Sequence, residues 1–168
     1  MNKALAALAL AAALTDIHSR RIPNWLVAAG FAAGVGFQVH ARGLPGLWDA
    51  LLGAAAGFLV YLGLFALRAM GGGDVKLMGA IGAFTGPKDW FVIFVLASLI
   101  GGALALVSLA TKGGLVRAAR NIVSILWELA HFRAPHRANP ELDVANPGAR
   151  TLPHGVAIAI AVLLFLWK

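Results

Sequence analysis

Six apolar stretches, separated by charged residues, glycines and prolines, constrain the fold of this chain most. They cover residues 4–15, 25–40, 47–67, 75–86, 90–111 and 152–167. A helix that spans a bilayer needs about 20 apolar residues, with roughly 17–25 the usual range. The first and fourth stretches are shorter, and each lies directly beside an aspartate, Asp16 or Asp74. A short helix next to a charge predicts a water-filled recess that enters the membrane.

The composition indicates a membrane protein. Apolar residues make up 60% of the chain and charged residues 12%, against about 25% charged in soluble domains. A soluble domain of 168 residues could not bury that much apolar surface, whereas lipid is itself an apolar solvent. The sequence therefore predicts an all-α fold, with one integral-membrane domain over residues 1–168 and about six transmembrane helices, two of them short. Residues 1–14 are interpreted as the start of this bundle, because no small-x-small signal-peptide cleavage pattern follows them.

The basic residues predict the orientation of the bundle. If the amino terminus faces outward, ten of the 14 lysines and arginines fall on one side, which the positive-inside rule makes cytoplasmic. Asp16 and Asp74 then both lie at the cytoplasmic face. The net charge of +7 does not indicate nucleic-acid binding, because the basic residues lie between apolar stretches and form no patch with interleaved aromatic residues.

A long polar region, residues 112–150, precedes the last apolar stretch. Within it, residues 116–130 combine an apolar stripe with a basic face, and Trp127 lies near its middle. This pattern is typical of an amphipathic helix that lies in the lipid headgroup layer. Three prolines in residues 134–149 indicate a loop after it.

Glycines recur four positions apart inside the apolar stretches. The pairs are Gly30 and Gly34, Gly53 and Gly57, and Gly82 and Gly86. This spacing places both members of a pair on one side of a helix, where neighbouring backbones can approach closely. We interpret these glycines as packing positions.

Asp16 and Asp74 are the candidate catalytic residues. An aspartate at the centre of a membrane helix costs about 2.5–3.5 kcal/mol on insertion scales, a cost that a position near the interface partly avoids. Two acids on the same membrane side, at the mouths of two short helices, still invite a functional interpretation. Two carboxyl groups a few ångströms apart can share one proton, so that one activates water while the other polarises a peptide carbonyl. That chemistry hydrolyses peptides without a metal or cofactor. The alternative is that both acids cap helices, for which Asp74 is suited.

Three glycines, residues 71–73, precede Asp74. A backbone without side-chain bulk lets a substrate strand approach, and a helix cap alone does not need three in a row. The segment is not a phosphate-binding loop, because it lacks both the preceding strand and the Gly-Lys-Ser/Thr ending.

Residues 71–77, Gly-Gly-Gly-Asp-Val-Lys-Leu, resemble the Gly-x-Gly-Asp motif of type IV prepilin peptidases. Asp16, followed by Arg-Arg-Ile-Pro-Asn at residues 20–24, resembles the first catalytic segment of that family. Residues 152–157, Leu-Pro-His-Gly-Val-Ala, are similar to the segment that opens its last helix. The resemblance implies an intramembrane aspartic endopeptidase that removes prepilin leader peptides at the cytoplasmic face of the bacterial inner membrane. Its partners would be prepilins and the lipid bilayer, and it would need no cofactor.

The resemblance also implies roles for single residues. Asp16 and Asp74 would be the catalytic pair, with the remaining motif positions shaping the site around them. Those positions are Pro23, Asn24, Gly71, Gly73 and Lys76. On a helix Lys76 lies about 200° around from Asp74, so an interfacial lysine and a residue that tunes the acids are both open interpretations.

The chain contains no cysteine, which excludes disulfides and thiolate metal sites. Larger family members carry a Cys-x-x-Cys insertion linked to methylation of the cleaved product. Residues 16–23 alone separate the first two apolar stretches here, so the chain resembles the small, peptidase-only branch that serves tight-adherence (Flp) pili. The five histidines lack the spacing of a zinc site and are interpreted as ordinary interfacial residues, with no metal expected.

Two other functions stay open from the residues alone. A small transporter or channel could use Asp16 and Asp74 as ion ligands, although such a protein favours ionisable groups at mid-depth and inverted repeats. A non-catalytic scaffold would account for the packing glycines, but not for the glycine-rich segment before Asp74.

Overall fold

The computed structural model of this chain describes residues 1–67, 70–111, 123–125, 127–128, 130–131 and 154–167. Four long helices are described: α1 (Asn2–Ser19), α2 (Asn24–Ala66), α3 (Gly72–Thr111) and α4 (His154–Leu166). Their positions coincide with the six apolar stretches, because α2 and α3 each contain two of them. The described part of the chain contains no strand, so the predicted all-α fold class is confirmed.

Helix α2 reverses direction near its middle. Gly43 interrupts it with φ 62° and ψ −138°, a left-handed conformation that glycine adopts at little cost. Pro45 follows and has no N–H for the helix ladder. Beyond the break, Gly46 packs directly against the backbone of Gln38. Residues eight positions apart lie about 12 Å apart along a straight helix, so this contact requires residues 24–42 and 44–66 to run antiparallel.

Helix α3 reverses in the same way. Gly86 breaks it with φ 75° and ψ 172°, and Pro87 follows. Gly57 of α2 packs against both Met78 and the Trp90 indole, which lie on opposite sides of the break. Residues 72–85 and 87–111 therefore also form an antiparallel pair.

A buried polar group stabilises the break in α3. The Gln38 side chain is 4% exposed, and its Nε2 donates a hydrogen bond of 2.9 Å to the Phe84 carbonyl. A helix that ends leaves its last carbonyls without partners, so this amide satisfies one of them. Arg42 donates to the Gln38 side-chain oxygen and forms a 2.7 Å ion pair with Asp49, which fixes the turn of α2 beside it.

The paired glycines bring α2 and α3 into backbone contact. Gly53 lies against the backbones of Gly82 and Gly86, and Gly34 lies against the Phe84 amide. A β-carbon at Gly53 or Gly82 would overlap the facing backbone. The prediction that these glycines allow close helix packing is confirmed.

Helix α4 packs between α1 and α3. The interior is apolar, with Leu5 and Ala12 from α1, Ile81 from α3, and Ile158 and Val162 from α4 almost fully buried. This packing fixes the end of α1 and the start of α4 relative to each other.

The outer surface of the bundle is also apolar. Leu59, Leu99 and Leu106 are each more than half exposed, and soluble proteins rarely expose contiguous apolar patches beyond a few hundred square ångströms. By length and composition, Asn24–Ala66 and Gly72–Ser108 are able to cross a membrane. Together with the composition, this surface indicates a membrane protein. The predicted surface helix over residues 116–130 lies mostly outside the described residues and stays a prediction.

Candidate active site

Asp16 lies in the last turn of α1, and a tight turn follows it. Helix α1 ends at Ser19, and Arg20 adopts the left-handed conformation with φ 51°. The Arg20 N–H donates a 2.9 Å hydrogen bond to the Asp16 carbonyl, which closes the helix end. Pro23 is extended and precedes α2. The half-buried Asp16 side chain is thus held a few residues from the start of α2.

Asp74 lies in the first turn of α3. Its backbone N–H donates to the Gly71 carbonyl at 3.2 Å, and the helix begins at Gly72, so the N-cap position belongs to Gly71 and not to Asp74. The Asp74 side chain is 9% exposed, which makes it the only buried charged side chain among the described residues. The N–H groups of a helix N-terminus favour a carboxyl group there.

A cavity of about 450 Å³ connects these two positions. Asp16 and Asp74, from different helices, both line it. The other site positions predicted from the sequence line it too: Pro23, Asn24, Gly71, Gly73 and Lys76. The structure therefore brings the seven predicted site residues together around one cavity.

The two motif segments touch each other beneath the cavity. A β-carbon at Gly73 would lie 3.3 Å from the Ile22 β-carbon, and one at Gly71 would lie 3.5 Å from Asp74 Oδ2. Glycine at position 71 keeps the space beside the Asp74 carboxyl group open, and glycine at position 73 allows the close contact with Ile22. The glycine-rich segment is thus packed against the segment that follows Asp16, and this contact sets the two acids on one cavity.

Lys76 reaches away from Asp74. Its ammonium group donates a 2.9 Å hydrogen bond to Asn24 Oδ1, and both side chains are exposed. This contact was not predicted from the sequence. It joins the start of α3 to the start of α2 at the rim of the cavity.

The first turn of α4 contributes residues that the motif analysis did not assign to the site. The Gly155 N–H donates a 2.9 Å hydrogen bond to Asp16 Oδ2. His154 lies against the fully buried Tyr61, with 6.1 Å between ring centroids, and its Nε2 is buried. The interpretation of all five histidines as ordinary interfacial residues did not include this packing of His154. Its position in the segment similar to the family's last helix was the one available indication.

This arrangement suits hydrolysis by two carboxyl groups. One acid is half-buried and the other is almost fully buried, and both line a cavity that also has bare glycine backbone in its wall. Such a pair can activate water and polarise a peptide carbonyl. Across the described ranges, no group of three or more histidine or acidic side chains is placed to hold a metal ion.

The fold and the site define a class of protein: a helical membrane protein in which two acids from different helices line one cavity. The chain also matches the type IV leader peptidase family over residues 4–106. This match covers more than half of the chain and includes Asp16 and Asp74. The chain belongs to the type IV leader peptidase family.

Several curated relatives also match this chain. A protein of Bacillus subtilis is 40% identical over 53% of this chain, and one of Aeromonas hydrophila is 33% identical over 54%. A Neisseria gonorrhoeae protein is 31% identical over 65%. Each is named prepilin leader peptidase/N-methyltransferase, and the matches span 36%, 33% and 40% of their respective lengths. No solved structure matches this chain.

Proposed function

We propose that this protein is an intramembrane aspartic endopeptidase that removes the leader peptide of type IV prepilin-like substrates, of the Flp type. The observation that carries the proposal is the placement of Asp16 and Asp74 on one cavity in a member of the type IV leader peptidase family. The names of the relatives, prepilin leader peptidases, supply the substrate class.

Catalysis would proceed by general acid–base chemistry. Asp16 and Asp74 share one proton, and the ionised carboxylate takes a proton from water as the oxygen of that water attacks the scissile carbonyl carbon. The protonated acid donates its proton to the carbonyl oxygen. Collapse of the tetrahedral intermediate then breaks the C–N bond, and a proton returned to the nitrogen releases the new amino terminus. Gly71 and Gly73 admit the substrate backbone beside Asp74.

A second cavity offers a place for the part of the prepilin that stays in the membrane. It has a volume of about 490 Å³ and lies between α2 and the first half of α3. Its walls are mainly apolar, with Val27, Phe31 and Phe58 among them. This apolar cavity shares Asn24 and Lys76 with the cavity around Asp16 and Asp74, which we call the aspartate cavity. A peptide bound at the acids can therefore continue directly into the apolar cavity.

We propose six membrane spans with the acids at the cytoplasmic face of the bacterial inner membrane. Helices α2 and α3 are each about twice as long as the ~20 residues that one span needs, and each reverses at a glycine. The reversals place the end of α1 and the starts of α2, α3 and α4 at one end of the bundle. The excess of basic residues on that side supports a cytoplasmic location.

The transporter alternative is less well supported. An ion pathway favours facing acids near the bilayer midplane, whereas Asp16 lies in the last turn of α1 and Asp74 in the first turn of α3. The family match also favours a peptidase.

The test is cleavage of a co-expressed prepilin by Asp16→Asn and Asp74→Asn variants. An amide has nearly the same size and still accepts hydrogen bonds, but it cannot act as a general base. We expect each variant to accumulate in membranes and to leave the prepilin uncleaved on a gel. Asp89→Asn, at an exposed acid outside the cavity, is the matched control and should cleave normally. Undiminished cleavage by either cavity variant would rule out the two-acid mechanism.

A further inference from the structure

We propose that Gly155 is a positioning residue: the first turn of α4 holds the Asp16 carboxyl group in its working orientation through the Gly155 backbone N–H. The inference rests on the proposed function, because it assigns a device to the same pair of acids. It concerns α4, which lies outside the family match over residues 4–106.

The contact uses a backbone N–H from the first turn of a helix, where such groups have no acceptor within the helix. The first N–H groups of an α-helix have no partner within the helix, and Gly155 is the second residue of α4. Its N–H donates to Asp16 Oδ2 at 2.9 Å. Hydrogen bonds with a charged acceptor are stronger than neutral ones. With one oxygen held in this way, the carboxyl group cannot rotate freely, and its second oxygen keeps a fixed direction.

The contact also requires that residue 155 have no side chain. A β-carbon at Gly155 would lie 2.9 Å from Asp16 Oδ2 and 3.1 Å from the Asp16 β-carbon. Both distances are below ordinary van der Waals contact, so an alanine would push the Asp16 side chain out of its place. A misplacement of about 1 Å can cost a reaction about 100-fold in rate.

The donor itself is held rigidly. Gly155 is buried, and Ile158 and Val162 further along α4 are fully buried between α1 and α3. His154 packs against Gly101 of α3, where a β-carbon would lie 3.3 Å from the imidazole Cε1. Helix α4 therefore acts as a fixed support for Asp16, and displacement of its first turn should displace the acid.

The kinetic test compares Gly155→Ala with Gly102→Ala in purified protein. A β-carbon at Gly102 has no atom within 4 Å, so this control adds the same methyl group without a clash. We expect Gly155→Ala to lower kcat at least tenfold, with KM for the prepilin changed less than twofold and Gly102→Ala like the unmodified protein. An unchanged kcat, or a loss that falls on KM alone, would overturn the proposal.

Gly101→Ala provides a second, milder displacement of the same turn. It presses on His154 from α3 without touching Asp16, so we expect a smaller loss of kcat, about two- to tenfold, with KM unchanged. If Gly155→Ala does not accumulate in membranes, a normal kcat in Gly101→Ala would overturn the proposal on its own.

Disulfide formation between two introduced cysteines tests whether Gly155 lies beside Asp16, without a measurement of enzyme activity. The chain has no cysteine, so the double variant Asp16→Cys, Gly155→Cys carries the only two thiols. Disulfides need β-carbons roughly 3.5–4.5 Å apart, a separation that a small adjustment of the 3.1 Å spacing provides. Mild oxidation should protect both thiols from maleimide, as read by mass, while Asp16→Cys, Gly102→Cys should stay labelled. Labelled thiols in the first pair would contradict the contact itself. Protected thiols together with a normal kcat in Gly155→Ala would overturn the positioning role, and an active Asp16→Asn variant would overturn the proposed function instead.

Discussion

The Lys76 ammonium group is hydrogen-bonded to the Asn24 side-chain oxygen at 2.9 Å, and this contact joins the start of α3 to the start of α2. Both residues line the aspartate cavity and the apolar cavity beside it. Because both side chains are exposed, water competes for the bond, and it contributes about 1 kcal/mol or less.

We therefore expect Lys76→Met and Asn24→Ala each to lower the cleavage rate only about two- to fivefold, since about 1 kcal/mol corresponds to about fivefold in rate. The double variant should lose no more activity than either single variant, because both substitutions remove the same contact. Timed cleavage of a prepilin in membranes measures this, with Lys88→Met as the control. A loss as complete as that of the aspartate variants would show that Lys76 acts on the acids.

Lengthening the side chain of either acid should lower the cleavage rate nearly as much as removing its carboxyl group. Asp16→Glu and Asp74→Glu keep the carboxyl group and displace it by one methylene, a shift of about 1 Å or more. We expect kcat to fall by about 100-fold or more for each, whereas Asp89→Glu should behave normally. Single-turnover cleavage separates this loss from weaker binding. Activity close to normal in either cavity variant would show that the geometry of the pair is not critical.

The glycine contacts between α2 and α3 should be sensitive to one methyl group. Gly53→Ala and Gly82→Ala place a β-carbon into the facing backbone, and overpacking of this kind costs about 1–3 kcal/mol. At Gly36 and Gly63 a β-carbon meets nothing within 4 Å, so alanine there should be neutral or stabilising by up to about 1 kcal/mol. Thermal unfolding in detergent compares the four variants. Equal midpoints would contradict the packing.

The apolar cavity should determine substrate affinity more than rate. Ala55 is an exposed residue in its wall, and Ala55→Phe would fill part of it. We expect a higher KM for prepilin with little change in kcat. Ala103→Phe, at an exposed position of α3 outside the cavity, is the control. Equal KM values in the two variants would argue that the prepilin does not occupy this cavity.

The sequence predicts the positions of the helices well, because each depends on the local density of apolar residues. It also predicts the packing glycines, since a spacing of four places Gly53 and Gly57 on one side of a helix. The predicted site residues of the aspartate cavity could be found for a similar reason, because the segments around Asp16 and Asp74 are short, continuous motifs.

The contacts of α4 were not predicted, and the reason is the distance along the chain. Asp16 and Gly155 are 139 residues apart, and a hydrogen bond from a backbone N–H leaves no pattern in side-chain identity. The packing of the half-buried His154 depends on Tyr61 and Gly101 from two other helices. No local periodicity encodes such a three-way contact.

The dependence of Asp16 on α4 has a consequence for the biogenesis of the protein. Residues are added to a growing chain at about 5–20 per second, so the 139 residues that separate Asp16 from Gly155 take on the order of ten seconds to synthesise. Throughout that interval α1 is already synthesised, but the Gly155 N–H that donates to Asp16 is not. While the chain is still being synthesised, Asp16 would thus lack its support, and the site would reach its full activity only once the last described helix is in place.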